Sequence, residues 1–254
     1  MELTKADISK ITSLRVKKYR DASGKYVAEG VKIIKESVEA EINIELIVVM
    51  GSVSSTPEVK NIMRLAAKES IPVVVVKDKE FDKLSTLETP SGILAVINKR
   101  QKPYIDAGAT YIILDSIKDP GNMGAIIRSA DWFGINNIVI GMDSVDVYNP
   151  KVIQATMGSI FRMNLIVDQD LPTFIKTLKT QNYSILATSL EGKDSDLKFE
   201  SKKIAILVGN ETKGLNPALL TNANILYKIP GSGNAESLNV SVATGIVLFQ
   251  LFGK

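Results

Sequence analysis

From residue 111 onward the chain repeats one pattern: a short apolar run, a polar loop, then an amphipathic stretch long enough to return across a sheet. Apolar runs stand at Tyr111 to Leu114, Asn137 to Ile140, Met163 to Val167, Tyr183 to Thr188 and Ile204 to Val208. Helical patterns fall between most of them, around Gly124 to Phe133 and Pro172 to Lys179, and a last one covers about Leu238 to Phe252. Strands that are apolar throughout must be covered on both faces, and strand–helix alternation makes neighbouring strands parallel. The pattern predicts an α/β fold with a mainly parallel sheet and helices on both faces. In such sheets ligands bind beyond the carboxyl ends of the strands, so the loops that follow them are expected to carry function.

The front of the chain is a smaller version of the same class. Apolar runs at Ile44 to Met50, Ile71 to Val76 and Ile93 to Ile97 alternate with helical patterns at Val31 to Ala40 and Pro57 to Lys68. The segment NKRQKPYIDAG, residues 98 to 108, is polar and basic, holds a Pro and a Gly, and lacks apolar periodicity. It reads as a linker, giving a domain over residues 1–98, a connection over 99–108 and a second domain over 109–254.

Composition narrows the chemistry. The 254 residues include no Cys and no His, which removes disulfide frameworks, thiolate metal sites, hydrolase triads built on a His base and HExxH zinc sites. No metal is expected, and the work falls to Arg, Lys, Asp, Glu, hydroxyl and backbone groups, or to a reactive cofactor. No run approaches a bilayer span, and the opening MELTKADISKITSL is not a basic region followed by an apolar signal core, so a cytoplasmic protein without membrane association is expected. Residues 1–103 carry 18 Lys plus Arg against 14 Asp plus Glu, and the remainder 13 against 14. Arg15, Lys17, Lys18 and Arg20 are the densest part of that excess. They fit either a solvated helix face or a surface for a phosphate backbone.

Three loops stand out. After YIILD comes SIKDPGNMGAIIRSADWFG, where Asp119, Pro120 and Gly121 suit a turn, Asn122 suits a cap for a helix starting near Gly124, and Arg128 lies further along it. After IAILVG comes NETKGLNPALL, with Gly209 ending the strand, Glu211 at the apex, and Gly214 permitting a tight turn before a helix at Asn216 and Pro217. The third, IPGSGNAESLNVSVA, sets Ser237 and Asn239 at the opening of the last helix, with Ser237 a candidate cap. Neither GxxxxGKS nor GxGxxG is present, which argues against common nucleotide-binding sites.

In this order and at the ends of successive strands, DPGNMGAIIRSADWFG, ILVGNETKGL and IPGSGNAESLNVSVA resemble the three motifs of the SpoU family, also called TrmH, of RNA ribose methyltransferases in the SPOUT superfamily. The stretch ITSLRVKKYRDASGKYVAEGVKIIKES resembles the amino-terminal substrate-binding domain of two-domain members, so the likeness spans essentially the whole chain. The resemblance implies a smaller L30e-like α/β domain that helps hold RNA, a methyltransferase domain with a deep trefoil knot, S-adenosylmethionine as cofactor, and a homodimer formed through the carboxyl-terminal domain. It also implies methylation of a ribose 2′-hydroxyl in structured RNA. The added amino-terminal domain looks more like members acting on 23S ribosomal RNA than like the minimal tRNA enzymes; a tRNA enzyme and a noncatalytic RNA-binding protein of the same architecture are the alternatives.

Carried over motif by motif, the resemblance makes Asn122, Arg128, Glu211 and Asn239 catalytic. Asn122 and Asn239 would orient ribose, Arg128 or motif backbone, and Glu211 would position Arg128 or an arginine of the partner subunit. It places Thr188, Ser189, Leu190, Gly209, Asn210, Gly214, Ile229, Ser237 and Leu238 around the cofactor. Lys10, Arg15, Lys17, Lys18, Arg20, Lys151 and Arg162 are the expected RNA contacts. A sulfonium methyl needs no metal and no polarised leaving group, so the missing histidine is no obstacle. Arg128 as general base is harder to accept, since a guanidinium with a pKa above about 12 gives up its proton reluctantly.

Overall fold

A computed structural model describes residues 2–100, 104–106, 108–193 and 203–253. In chain order its elements are α1 (Lys5–Ser13), α2 (Lys17–Ser23), β1 (Lys25–Glu29), α3 (Val31–Glu39), β2 (Ile44–Met50), α4 (Pro57–Lys68), β3 (Val73–Val76), α5 (Asp78–Leu84) and β4 (Ile93–Asn98). There follow β5 (Tyr111–Leu114), α6 (Pro120–Trp132), β6 (Asn137–Gly141), α7 (Pro150–Thr156), β7 (Asn164–Gln169), α8 (Leu171–Thr180), β8 (Ser184–Lys193), β9 (Ile204–Val208), α9 (Pro217–Leu220), β10 (Ile225–Tyr227) and α10 (Val240–Phe252). They form two compact units, Met1–Gln101 with Asp146–Phe161, and Lys102–Val145 with Arg162–Lys254.

In the first unit four strands run in the order β1-β4-β2-β3, antiparallel except for β2 against β3. One face buries Val27, Val48, Val74, Leu94 and Val96 against Ile11 and Leu14 from α1 and its turn, and against Phe81 and Leu84 from α5. The apolar periodicity anticipated β2, β3, β4, α3 and α4 but passed over α1, α2, β1 and α5. Of these, α2 and α5 have seven residues each, and α1 is held by a capping box in which Thr4 and Asp7 satisfy each other's backbone amides.

Residues 146–161 were assigned by the sequence pattern to the second domain; they pack within the first unit. Asp146 Oδ2 accepts from Arg20 Nε at 2.9 Å and Nη2 at 2.6 Å. Tyr148 lies on Tyr26 with ring centroids 4.7 Å apart, and burial pushes its phenol up to about 12. Gln154 donates to the Glu29 carbonyl at 2.6 Å, and Gly158, at φ +99°, lets the chain pass where a Cβ would lie 2.8 Å from Glu36. Val147, Val152, Ile153 and Ile160 are buried here as well, but an apolar pattern does not say which unit its residues pack into.

The second unit is a six-stranded sheet in the order β10-β8-β9-β5-β6-β7, every neighbour parallel. Tyr111 and Ile113 alternate with Ile112 and Leu114 along β5, all fully buried, as a central strand covered on both faces requires. Phe174, Ile175 and Leu178 of α8, with Leu215 and Leu219, pack over the Tyr111 and Ile113 face. On α6 and α10, which pack together, Ile126, Ile127, Val247 and Leu248 are buried. From β5 the chain moves outward through β6 and β7, then crosses to fill the other side with β8, β9 and β10. The order therefore reverses between β5 and β9, and the loops following these two strands open side by side.

Arg20→Ala should lower the stability of the first unit by about 3 kcal/mol, because it strands a nearly buried carboxylate, Asp146, and frees two main-chain carbonyls. Urea unfolding followed by hydrogen exchange in β1 and β4 measures this; an unchanged midpoint would contradict it.

Candidate active site

The geometry begins at the last residue of the β5 run. Asp115 extends the ladder with its amide to the Val208 carbonyl at 2.9 Å, and its Oδ2 accepts the Asn216 amide at 2.8 Å. Ser116 follows at φ +58°, unusual for a residue with a Cβ, and its carbonyl accepts Asn210 Nδ2 at 2.9 Å. On its other side the loop is tied to the β6 loop, where Ile117 donates to Ser144 Oγ at 3.2 Å and Val145 donates to the Ile117 carbonyl at 2.8 Å. The β5 loop is thus held between its two neighbours before any functional side chain is placed.

Helix α6 starts earlier than the sequence pattern suggested. Asp119 is the N-cap, its Oδ1 accepting the Asn122 amide at 2.8 Å, and Pro120 occupies the first helical position. Asn122, expected as the cap, is therefore released from that duty and turns its side chain outward. At α10 the roles also shift: Asn239, not Ser237, is the cap, with Oδ1 accepting the amides of Ser241 at 2.9 Å and Val242 at 3.4 Å.

These two corrections create a relay. Asn239 Nδ2 donates to Asn122 Oδ1 at 2.9 Å, Asn122 Nδ2 donates to Glu211 Oε1 at 2.7 Å, and Asn210 Nδ2 donates to Glu211 Oε2 at 3.3 Å. All three sequence motifs meet in one string of hydrogen bonds. A carboxylate can only accept, so Glu211 obliges Asn122 to present its amide nitrogen; Asn122 must then offer its oxygen to Asn239, and Asn239 in turn keeps its own oxygen for the helix. The charge on Glu211 thereby sets the direction of Asn122, in agreement with the orientations that main-chain groups already give Asn210 and Asn239.

The β9 loop is built to place Glu211. Asn210 and Gly214 exchange both main-chain hydrogen bonds at 3.0 Å, and Asn210 Oδ1 accepts the amides of Thr212 at 2.9 Å and Lys213 at 3.0 Å. Gly214 closes the turn at φ +67°, and a Cβ on Gly209 would lie 2.5 Å from the Gly214 carbonyl carbon. Only a residue without a side chain fits that approach.

The remaining expected residues divide. Arg128 is exposed, about 9 Å further along α6 than Asn122 and about a third of a turn round it, and among the described residues its side chain makes no hydrogen bond or ion pair. Glu211, with both oxygens committed to asparagines, does not hold it. Thr188 Oγ1 donates to the Leu207 carbonyl at 3.1 Å, and Ser189 Oγ accepts the Glu191 amide at 3.2 Å. Leu190, within β8, and Leu238, in the irregular stretch before α10, are 62% and 46% exposed, large apolar side chains left uncovered, while Ile229 is half-buried. Ser237 lies exposed in the irregular stretch before α10. Of the expected RNA contacts, Lys10, Lys17, Lys18 and Lys151 are exposed. Arg20 is buried and committed to Asp146, so it presents nothing to a phosphate; Arg162 is bidentate with Asp131, its Nη2 at 2.7 Å. Arg15 donates to two carbonyls while staying exposed.

Asp115, Ser116 and Asn216 hold the site together and were not anticipated. An Asp closing an apolar run directly before a polar loop is a usable signal for the first. Ser116 offers none, since left-handed backbone favours Gly or Asn. Among the described residues no group of three or more Asp and Glu side chains could hold a metal ion, and no helix is long and apolar enough to cross a membrane.

Comparison with known proteins agrees with this geometry. Residues 109–249 match the model of the SpoU rRNA Methylase family, and residues 5–95 match an MRM3-like substrate binding domain. The 23S rRNA (guanosine(2553)-2′-O)-methyltransferase RlmP of Bacillus subtilis is 28% identical over 241 residues, 94% of this chain and 93% of that protein. The 23S rRNA (guanosine-2′-O-)-methyltransferase RlmB of Nitrosomonas europaea is 27% identical over 202 residues, 76% of this chain and 78% of its own. The AdoMet-bound rRNA methyltransferase of Sinorhizobium meliloti superposes with a TM-score of 0.84 at 30% identity, covering 98% of this chain and 95% of that one. The chain belongs to the SpoU rRNA Methylase family and is an RNA methyltransferase, of a family whose methyl donor is S-adenosylmethionine.

Proposed function

We propose that the chain methylates a ribose 2′-hydroxyl of large-subunit ribosomal RNA. The observation that carries the reading is the relay from Asn239 through Asn122 to Glu211, which joins the three motif loops at the point where the strand order reverses. Support for the substrate comes from the RlmP relative, which is named for that reaction on 23S rRNA and aligns over nearly the whole length of both chains.

The residues present suit S-adenosylmethionine. Exposed Leu190 and Leu238 offer apolar surface to an adenine, and the side-chain-free Gly209 lets the β9 loop fold back tightly beside the cofactor crevice. When bound, the cofactor supplies a methyl already activated by its sulfonium. The chain's own task is positioning, an effect worth roughly 7–11 kcal/mol for well-oriented reactants. The relay fixes Asn122 and Asn239 in one orientation toward the ribose. Arg128 holds the phosphate beside the reacting nucleotide, and the hydroxyl proton leaves to that phosphate or to water. Among the described residues no carboxylate pairs with Arg128, which leaves its planar fork available for this, whereas a guanidinium is a poor proton acceptor.

The reading includes a homodimer. Trp132 is 84% exposed on α6, and Val242 and Phe249 are 51% and 64% exposed on α10, which packs against α6. A second copy covering this apolar face would lie beside Arg128, one helical turn from Trp132. Sedimentation should give the mass of two chains, and Phe249→Asp should reduce it to one; a wild-type monomer at micromolar concentration would remove the dimer from the model.

Transfer of labelled methyl from S-adenosylmethionine to unmodified ribosomal and transfer RNA, read as alkali-resistant dinucleotides, tests the activity. Label confined to the large ribosomal RNA is expected, and label in transfer RNA alone would replace the substrate assignment. In the same assay Arg128→Lys should lose about a hundredfold in single-turnover rate, because an ammonium cannot reproduce two parallel hydrogen bonds. Near-normal methylation by the lysine variant would leave only a positive charge required. Glu211→Gln replaces an acceptor by a donor, so either Asn122 or Asn210 meets like with like; the rate should fall about tenfold or more, as hydrogen bonds to charged groups are worth about 1.5–3 kcal/mol. An unaltered rate would show that the direction of the relay does not matter.

A further inference from the structure

Arg20 does not meet a phosphate, but it makes a rigid surface nearby. Its Nη1 donates to the carbonyls of Leu14 and Arg15, each at 2.8 Å. Arg15 Nη2 in turn donates to the carbonyls of Lys83 at 2.8 Å and Ser85 at 2.5 Å. The turn between α1 and α2 is thus pinned from two sides by guanidinium groups that bind main chain. Two large apolar side chains lie exposed here: Val16, the N-cap of α2, is 53% exposed and Tyr19, in the first turn of α2, is 49% exposed.

An exposed tyrosine alone means little, since single apolar side chains are common on surfaces. Its setting is more specific. Tyr19 is the one exposed aromatic among the described residues of the first unit, where Tyr26, Phe81 and Phe161 are buried and Tyr148 is half-buried. Exposed Lys17 and Lys18 precede it, exposed Lys10 lies in the last turn of α1, and the nearest acid in sequence to Tyr19, Asp21, is paired with Lys99 at 2.7 Å and also faces the charge of Lys17. A rigid aromatic with two rotatable bonds, in the first turn of a helix whose start is pinned, and among cations, matches the requirements for stacking an unpaired base beside its phosphates.

We propose that Val16 and Tyr19 form a stacking platform for an unpaired nucleobase of the RNA substrate, with Lys17 and Lys18 holding the flanking phosphates. The inference rests on the RNA-methylating reading and adds a property of the substrate. A duplex buries the faces of its bases, so the RNA must offer this unit a loop, bulge or single strand. Phosphate contacts are shared by any RNA, whereas the platform selects an unstacked base.

The test uses the full chain with a short single-stranded RNA carrying one 2-aminopurine, and with a blunt duplex of the same sequence, titrated over a range of salt. The wild type should quench the 2-aminopurine and prefer the single strand, and Tyr19→Phe should retain both properties. Tyr19→Ala should lose the quenching and bind the single strand about tenfold more weakly at every salt concentration, with the same salt slope. Lys17→Gln combined with Lys18→Gln should flatten the slope and keep the quenching. Wild-type affinity in Tyr19→Ala, or equal binding of single strand and duplex without quenching by the wild type, overturns the platform. Labelled methyl transfer to unmodified ribosomal RNA, run alongside, separates this from failure of the activity itself. Transfer with an unchanged KM for RNA in Tyr19→Ala sinks the platform alone; quenching by a wild type that transfers no methyl to this RNA sinks the substrate reading and leaves the platform standing.

Discussion

The carboxylate of Glu211 is the constraint on which the site depends. It is the one member of the relay that cannot donate, so it fixes which way the amide of Asn122 faces, in agreement with the orientations that main-chain groups give Asn210 and Asn239. Without it Asn122 would keep only Asn239 to orient it, and the string would lose its link to the β9 loop. A charge commonly credited with attracting a ligand here acts first on its own neighbours.

Glu211 can serve this way because of the sheet beneath it. Parallel strands place every following loop at one edge, and the reversal of order between β5 and β9 leaves two of these loops without an intervening strand. Asp115 and Ser116 from one side engage Asn216 and Asn210 from the other. Ser116 holds a left-handed backbone conformation in this junction, a local cost carried where the carbonyl must be aimed. The packed core of β5, β9 and α8 supplies the rigidity that keeps such a residue in place.

The two units use charge differently. In the first, arginines expected on RNA are spent on structure: Arg20 on Asp146 and two carbonyls, Arg15 on the carbonyls of Lys83 and Ser85. Lysines stay outside. This division follows from the side chains themselves, since a planar guanidinium can satisfy several fixed carbonyls from a buried position while an ammonium on a flexible stem is more easily left hydrated. A basic cluster in a sequence is therefore a poor guide to which of its members reach a ligand.

The alternation of apolar runs determined the fold class, the parallel sheet and the edge at which function would lie, because strand burial on both faces leaves a direct mark on the order of residue types. The three polar motifs pointed to Asn122, Glu211, Asn210 and Asn239 through their resemblance to those of the SpoU family. Tertiary structure alone decided that Asn239 caps α10 and Asp119 caps α6, that Asn122 is thereby free to join Glu211, that Arg128 stands apart from both, and that residues 146–161 belong with the first unit. Periodicity reports which side of an element is buried. It carries no information on which of several nearby polar groups will share a hydrogen bond, since that depends on distances between segments about 90 to 120 residues apart that only the packed sheet brings together.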